Sequence, residues 1–202
     1  MCCRYYMSDE LKDRLEEELQ LFGGYKLNKE NEKGKPVVIP GEVTPGMRPL
    51  VLRSENGGEI IPDNVYWGYE GPGKGLIINS RSESVFEKRM FADGIKNHRC
   101  VVPASVFYEW DADRTKVGFN RRDEKPIYMA GICTADSTDR RFSVLTTAAD
   151  ESVKGIHDRM PVILEKEEVG PWLTDGSLTE SFLIKKNPPL DNDREYEQLS
   201  LF

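Results

Sequence analysis

The sequence predicts a single α+β domain in which mainly antiparallel sheets form a barrel- or sandwich-like core with a few peripheral helices. Three observations lead there. Short runs rich in Val, Ile, Tyr and Phe recur from residue 36 onward, punctuated by Pro-Gly, Asn-Gly-Gly and Gly-Pro-Gly. Helical periodicity is confined to a few stretches, without the regular strand–helix alternation of a parallel sheet. A chain of 202 residues is long enough for one proper core and short for two.

Taken in order, Ser8 reads as an N-cap, with Asp9 and Glu10 favourable in the first turn and Leu11, Leu15 and Leu19 on one helical face. Gly23-Gly24 ends that helix, and residues 25 to 35 form a polar loop. Strands are expected over Pro36 to Ile39, Arg48 to Leu52, Glu59 to Ile61 and Gly75 to Asn79. Ser82 to Phe91 looks helical and is closed by Gly94. Further strands are expected at Cys100 to Pro103, Val106 to Trp110, Tyr128 to Ala135, Phe142 to Ala148 and Met160 to Leu164. A short helix begins near Lys166, and Ser181 to Lys185 forms another strand. Residues 1–187 make one domain, and residues 188–202 an acidic tail beyond Pro188-Pro189.

Charge is high, with 35 acidic against 28 basic side chains and a net charge of −7, which argues against tight nonspecific duplex binding. The acids cluster at both ends, whereas Arg81 to Arg122 leans basic, so a local anion-binding groove is compatible with the composition. No apolar run reaches membrane-spanning length, and no charged-then-apolar leader precedes Cys2. The four cysteines show neither CxxC spacing nor a disulfide framework, and only His98 and His157 could complete a zinc set. The expectation is a reduced, cytoplasmic, monomeric protein without metal or cofactor.

Four segments carry candidate chemistry. Removal of Met1 would expose Cys2 as an N-terminal residue with an α-amine and a thiol on adjacent carbons, with reference pKa values of about 8 and about 8.5. A frayed terminus with incidental cysteines is the ordinary alternative. Asn79 ends an apolar strand and opens the polar cluster Asn79-Ser80-Arg81-Ser82-Glu83, a common place for functional side chains that by itself reads better as a helix cap with a solvated arginine. Period-two alternation puts Val106, Tyr108 and Trp110 on one face and Phe107 with Glu109 on the other. A glutamate among aromatics and valines is desolvated and suited to proton transfer, unless the strand lies at an edge in water. His157, between an acid and a base in a strand-entry turn, is either a proton shuttle or a surface histidine beside an Asp158–Arg159 pair.

Together these blocks resemble the SRAP family, the SOS-response-associated peptidases or abasic-site processing proteins. The resemblance covers nearly the whole chain. It rests on Met1-Cys2-Cys3-Arg4, Val65-Tyr66-Trp67-Gly68, Asn79-Ser80-Arg81-Ser82-Glu83, Arg99-Cys100-Val101-Val102-Pro103-Ala104, Phe107-Tyr108-Glu109-Trp110, Leu145-Thr146-Thr147-Ala148-Ala149 and His157-Asp158-Arg159-Met160-Pro161. The order and spacing of the blocks make the match specific. It implies a protein that shields abasic sites in single-stranded DNA through a covalent bond at Cys2, with lyase and adduct-reversal activity. By the resemblance Asn79 orients the N-terminus, Glu109 promotes opening of the abasic sugar, and His157 moves protons. Arg4, Arg81 and Arg89 grip phosphates, and Trp67 stacks on or wedges a base. Two departures stand out: Cys3 replaces the usual glycine, and Tyr69-Glu70 replaces an apolar and Pro-Trp stretch.

The chain ends Gln198-Leu199-Ser200-Leu201-Phe202, which looks like a bacterial sliding-clamp-binding pentapeptide on an acidic tether. In that reading Gln198, Leu199, Leu201 and Phe202 fill a hydrophobic pocket on the clamp, and the protein works at the replication fork near the nucleoid. Packing of those residues on the domain itself is the alternative. Two further functions compete with the crosslinker: a cysteine peptidase using Cys2 with His157 and Glu109, which would process Met1, and a noncatalytic single-strand-binding adaptor to the clamp.

Overall fold

The computed structural model describes residues 3–23, 36–55 and 58–194. Cys2 and the terminal pentapeptide therefore lie outside the described residues. The chain begins with β1 (Tyr5–Met7) and α1 (Asp9–Gly23), followed by β2 (Gly41–Val43), β3 (Leu50–Glu55), β4 (Glu59–Asn64), β5 (Tyr66–Trp67) and β6 (Tyr69–Glu70). Next come β7 (Leu76–Ile77), β8 (Asn79–Arg81), a 3-10 turn (Ser82–Ser84) and α2 (Arg89–Asn97). The second half holds β9 (Arg99–Ala104), β10 (Val106–Trp110), β11 (Lys116–Arg121), β12 (Ile127–Cys133), β13 (Arg141–Ala148), β14 (Arg159–Pro161) and β15 (Ile163–Leu164). It closes with α3 (Lys166–Thr174), a 3-10 turn (Gly176–Leu178), α4 (Thr179–Ile184) and β16 (Leu190–Arg194).

Two sheets dominate. The first is antiparallel throughout, in the order β16-β11-β10-β1-β2. The second runs β14-β13-β12-β9-β3-β4, with β15 beside β12 and the short β5 and β8 lying parallel to β13. Among the described residues neither closes into a barrel, so the sandwich arm of the expectation is the one realised.

Side-chain alternation on the second sheet explains the layering. Val101, Tyr128, Ala130, Ile132, Leu50 and Leu52 face a core shared with Leu11, Leu15 and Leu19 of α1, Ile95 of α2 and Trp172 of α3. Cys100, Val102, Ile127, Met129 and Val51 face the other way, against Tyr5, Phe107, Val117 and Phe119 of the first sheet. The order of layers is helices, second sheet, first sheet. A sheet covered on both faces needs apolar residues at consecutive positions, and β9 and β12 are buried along their whole lengths.

Several local expectations match. The Ser8 hydroxyl accepts the Leu11 N–H at 3.1 Å, capping α1 where the sequence placed the cap. Others need correction. Residues 36–40 form no strand; their Val37 backbone is held instead by the Asn64 side chain. The helix expected over Ser82 to Phe91 is a 3-10 turn followed by α2, and Gly94 lies inside α2 rather than ending it. A Cβ at Gly94 would stand 2.9 Å from the Cys133 carbonyl, so glycine is what lets α2 approach β12. Ser181 to Lys185 is not a strand: α4 turns Phe182 and Leu183 toward the helical core. Strands β1, β2, β5, β6, β11 and β16 were missing from the sequence reading. Of these β16 moves the domain boundary, because residues 190–194 pair with β11 and Leu190 is buried in the sandwich core.

Candidate functional site

The site is assembled where the first sheet meets the β13 end of the second. β1 lies antiparallel to β10, with Tyr5 opposite Phe107 and Tyr6 opposite Val106. The ladder continues past the strand's end, since the Tyr108 N–H donates to the Arg4 carbonyl at 2.9 Å. Continuing that register by one residue sets Cys3 opposite Glu109. Opposed residues of an antiparallel pair project to the same side, so Cys3 and Glu109 share the inward face with Tyr5 and Phe107. Residue 2 is then one peptide, about 3.8 Å in Cα spacing, from Cys3.

Glu109 is 1% exposed. The buried-carboxylate arm of the sequence reading is realised, and burial raises its pKa above the ordinary glutamate range. Nearby His157 opposes the rise, and Asp158 adds to it. The half-buried Cys3 thiol is also raised, first by burial and then by the Glu109 carboxylate. Glu109 thus acts electrostatically on Cys3 and is itself acted on by His157, although the three come from distant segments.

His157 precedes β14, which pairs with β13 through Ala148 opposite Arg159. Its Nδ1 accepts the Arg159 N–H at 2.9 Å. Asn79, half-buried, starts β8 opposite Val144 on the other edge of β13, and Arg81 follows opposite Thr146. The ends of β8 and β14 are tied together by Arg159, which donates through Nη1 and Nη2 to Glu83 at 2.6 and 2.9 Å. Arg159 therefore pairs with Glu83, not with Asp158 as the sequence alternative had it.

The predicted DNA contacts divide. Arg81 and Arg89 are exposed, Arg81 at the end of β8 and Arg89 as the first residue of α2. Arg4 lies on the outer face of the first sheet, 2.9 Å from Glu42 and 5.6 Å from the Trp110 ring centroid. Lys116 sits beside it, 2.6 Å from Glu42 and 3.9 Å from the Tyr108 centroid. Trp67 requires a correction. It is 0% exposed, stacks on Phe142, tilts against Tyr5, and donates its indole N–H to the Ile78 carbonyl at 3.1 Å. A ring enclosed on both faces has none left for a base, so Trp67 is a core residue.

Sequence reasoning passed over Trp110, Lys116 and the Glu83–Arg159 pair. The outward alternation of Trp110 was a usable signal. The partners of Arg159 and Lys116 depend on strand register, which periodicity alone does not specify. Among the described residues no group of three or more His, Cys, Asp and Glu side chains gathers as a metal site, and no helix is long and apolar enough to cross a membrane.

Comparison with known proteins shows which chains this one is similar to. The chain is 34% identical over 141 residues to the abasic site processing protein YedK of Escherichia coli, a stretch covering 65% of this chain and 63% of that protein. It is 32% identical over 134 residues to YoaM of Bacillus subtilis, also an abasic site processing protein, covering 61% and 59%. The chain thus spans under two thirds of the length of these curated relatives. A mouse abasic site processing protein, HMCES, is 29% identical over 56% of this chain and 42% of its own. In fold, the chain superposes on a protein from Bordetella bronchiseptica with a TM-score of 0.72 at 22% identity, covering 96% of this chain and all of that one. A phage-related protein of the same organism gives a TM-score of 0.73 at 21% identity, covering 96% and 93%. The profile of the SOS response associated peptidase family matches residues 1–197, and the chain belongs to that SRAP family.

Proposed function

We propose that this protein captures abasic sites in single-stranded DNA by a covalent bond at Cys2. The observation that supports the reading is the register of β1 on β10, which sets Cys3, the residue after Cys2 in the chain, opposite a buried glutamate. The relatives' names, abasic site processing proteins, supply the substrate class.

The chemistry follows from the residue types. An abasic deoxyribose is mostly a closed hemiacetal in equilibrium with a small amount of aldehyde. Glu109, its carboxyl pKa raised by burial, suits proton transfer at the ring oxygen and the anomeric hydroxyl. The Cys2 amine then adds to the aldehyde and loses water to give an imine. The Cys2 thiol adds across the imine to close a five-membered thiazolidine, so one water leaves per adduct. Only an N-terminal cysteine has amine and thiol on neighbouring carbons, and removal of Met1 is required. Cys3 lacks that amine and cannot form the same ring. His157 serves proton movements at the imine and the 3′ side, where β-elimination gives lyase activity, and Glu109 also serves reversal. Asn79 orients the N-terminus.

Arg4, Arg81 and Arg89 hold phosphates, and Trp110, with Arg4 against its ring, takes the base-stacking role that Trp67 cannot. The terminal Gln198, Leu199, Leu201 and Phe202 dock on a sliding clamp, which places the protein at the replication fork.

The test is a denaturing gel of protein mixed with single-stranded DNA carrying one abasic site. A heat-stable shifted band is expected with wild type and none with Cys2→Ala. No band with wild-type protein lacking Met1 would remove the reading. Cleavage of peptide libraries, lost in Cys2→Ala, would favour a peptidase instead.

A further inference from the structure

The Glu83–Arg159 ion pair has no part in the function proposed above. The Arg159 side chain is 11% exposed and crosses the end of β13 to reach the turn after β8. Its two terminal nitrogens grip both Glu83 oxygens, and Nη2 also donates to the Thr146 carbonyl at 2.6 Å. A forked contact of this kind fixes the plane and position of the guanidinium, and with it the residue's backbone.

That backbone makes a contact of chemical consequence. The Arg159 N–H donates to His157 Nδ1 at 2.9 Å. A ring nitrogen that accepts a hydrogen bond carries no proton, so the neutral imidazole holds its proton on Nε2. A competitor stands at the same atom, because the Asp158 Oδ1 also lies 2.9 Å from Nδ1. A carboxylate only accepts, so it bonds Nδ1 only when that nitrogen is protonated. The two neighbours select opposite forms of one ring: the Arg159 amide makes Nε2 a donor, and the Asp158 carboxylate makes Nε2 a base.

We infer that Glu83 is a positioning residue for His157: by anchoring the Arg159 guanidinium it keeps the Arg159 amide on Nδ1 and so keeps Nε2 a hydrogen-bond donor. When Glu83 releases Arg159, Asp158 takes the Nδ1 proton and Nε2 gains the lone pair that accepts one. The other charged groups in reach are Glu109 of β10, which senses His157, and Arg81 of β8, which senses Glu83. Glu83 is half-exposed and lies beside Arg81, a proposed phosphate contact, so DNA would meet this pair at the rim of the site. Only the chemical consequence rests on the abasic-site reading; the choice of tautomer does not.

The test is imidazole ¹⁵N–¹³C correlation NMR at a pH where the ring is neutral, with His98→Gln used to assign the second histidine. Wild type is expected to show His157 mainly as the Nε2–H form. Glu83→Ala should move the tautomer ratio toward Nδ1–H by about tenfold, the weight of roughly one hydrogen bond. Adding Asp158→Ala to Glu83→Ala should restore Nε2–H. Glu83→Gln keeps the side chain's shape and should give a smaller shift in the same direction, which serves if the alanine variant does not fold. An unchanged ratio in a folded Glu83 variant, or a wild type already in the Nδ1–H form, would overturn the inference. Abasic-DNA crosslinking measured on the same samples separates the two failures. Wild type that does not crosslink removes the proposed function, whereas an unmoved tautomer removes only the role of Glu83.

Discussion

Replacing Trp67 and Trp110 in parallel separates a core tryptophan from one that meets DNA. Trp67 is enclosed by Phe142 at 5.8 Å and Tyr5 at 5.4 Å between ring centroids, and its indole N–H satisfies the Ile78 carbonyl. Trp67→Ala leaves a cavity between the sheets and an unpaired acceptor, which together cost about 3–5 kcal/mol. For a chain of this length that lowers the melting temperature by roughly 10 °C or more. Trp67→Phe keeps most of the ring but loses the hydrogen bond, about 1–2 kcal/mol. Trp110 is half-exposed with Arg4 against its ring, so Trp110→Ala should change stability by under about 1 kcal/mol. It should weaken single-stranded DNA binding by roughly tenfold, the weight of one stacked base. Thermal unfolding and fluorescence anisotropy with a short oligonucleotide read both effects. The reasoning fails if Trp67→Phe is fully stable yet loses DNA binding, or if Trp110→Ala binds as well as wild type.

Three further outcomes follow. Burial raises the Glu109 carboxyl pKa above its unfolded value of 4.5, so its contribution to stability is fully present below that value and is lost as pH rises through the folded pKa. Glu109→Gln, which never ionises, should gain melting temperature relative to wild type as pH climbs above about 4.5, whereas a constant difference across pH would contradict the raised pKa. Truncation after residue 189 removes β16 and buried Leu190 and should destabilise the fold by about 2–4 kcal/mol relative to truncation after residue 194, read by chemical denaturation. Deleting residues 198–202 should abolish clamp pull-down without affecting crosslinking, and retained pull-down would assign the clamp contact elsewhere.

What could be read from the sequence follows the reach of each physical signal. α1 was legible because an N-cap, acidic first turn and leucines four apart are all local, as was the sharing of one face of β10 by Glu109 and Phe107, although alternation did not say that this face is the buried one. β16 was not, because Leu190-Asp191-Asn192-Asp193-Arg194 has little apolar content and is a strand through its ladder to β11. α4 was misjudged because Ser181-Phe182-Leu183-Ile184 is apolar and short, the case in which helix and strand patterns coincide. Trp67 was misjudged for a different reason: a family motif fixes its identity, but which layer covers it depends on the first sheet folding over the second. The Glu83–Arg159 contact spans 76 residues and exists only because β8 and β14 flank the same strand.

The central proposal is that Cys2, next in the chain to the Cys3 that the β1–β10 register sets opposite Glu109, forms the bond to DNA. The direct measurement is mass spectrometry of the adduct formed with an abasic oligonucleotide, after intact mass has established loss of Met1. The account predicts a sugar remnant on the N-terminal peptide, at residue 2, with the loss of one water, and slower formation in Glu109→Gln. A remnant on a lysine or on Cys3, or an adduct formed equally by Cys2→Ala, would contradict it.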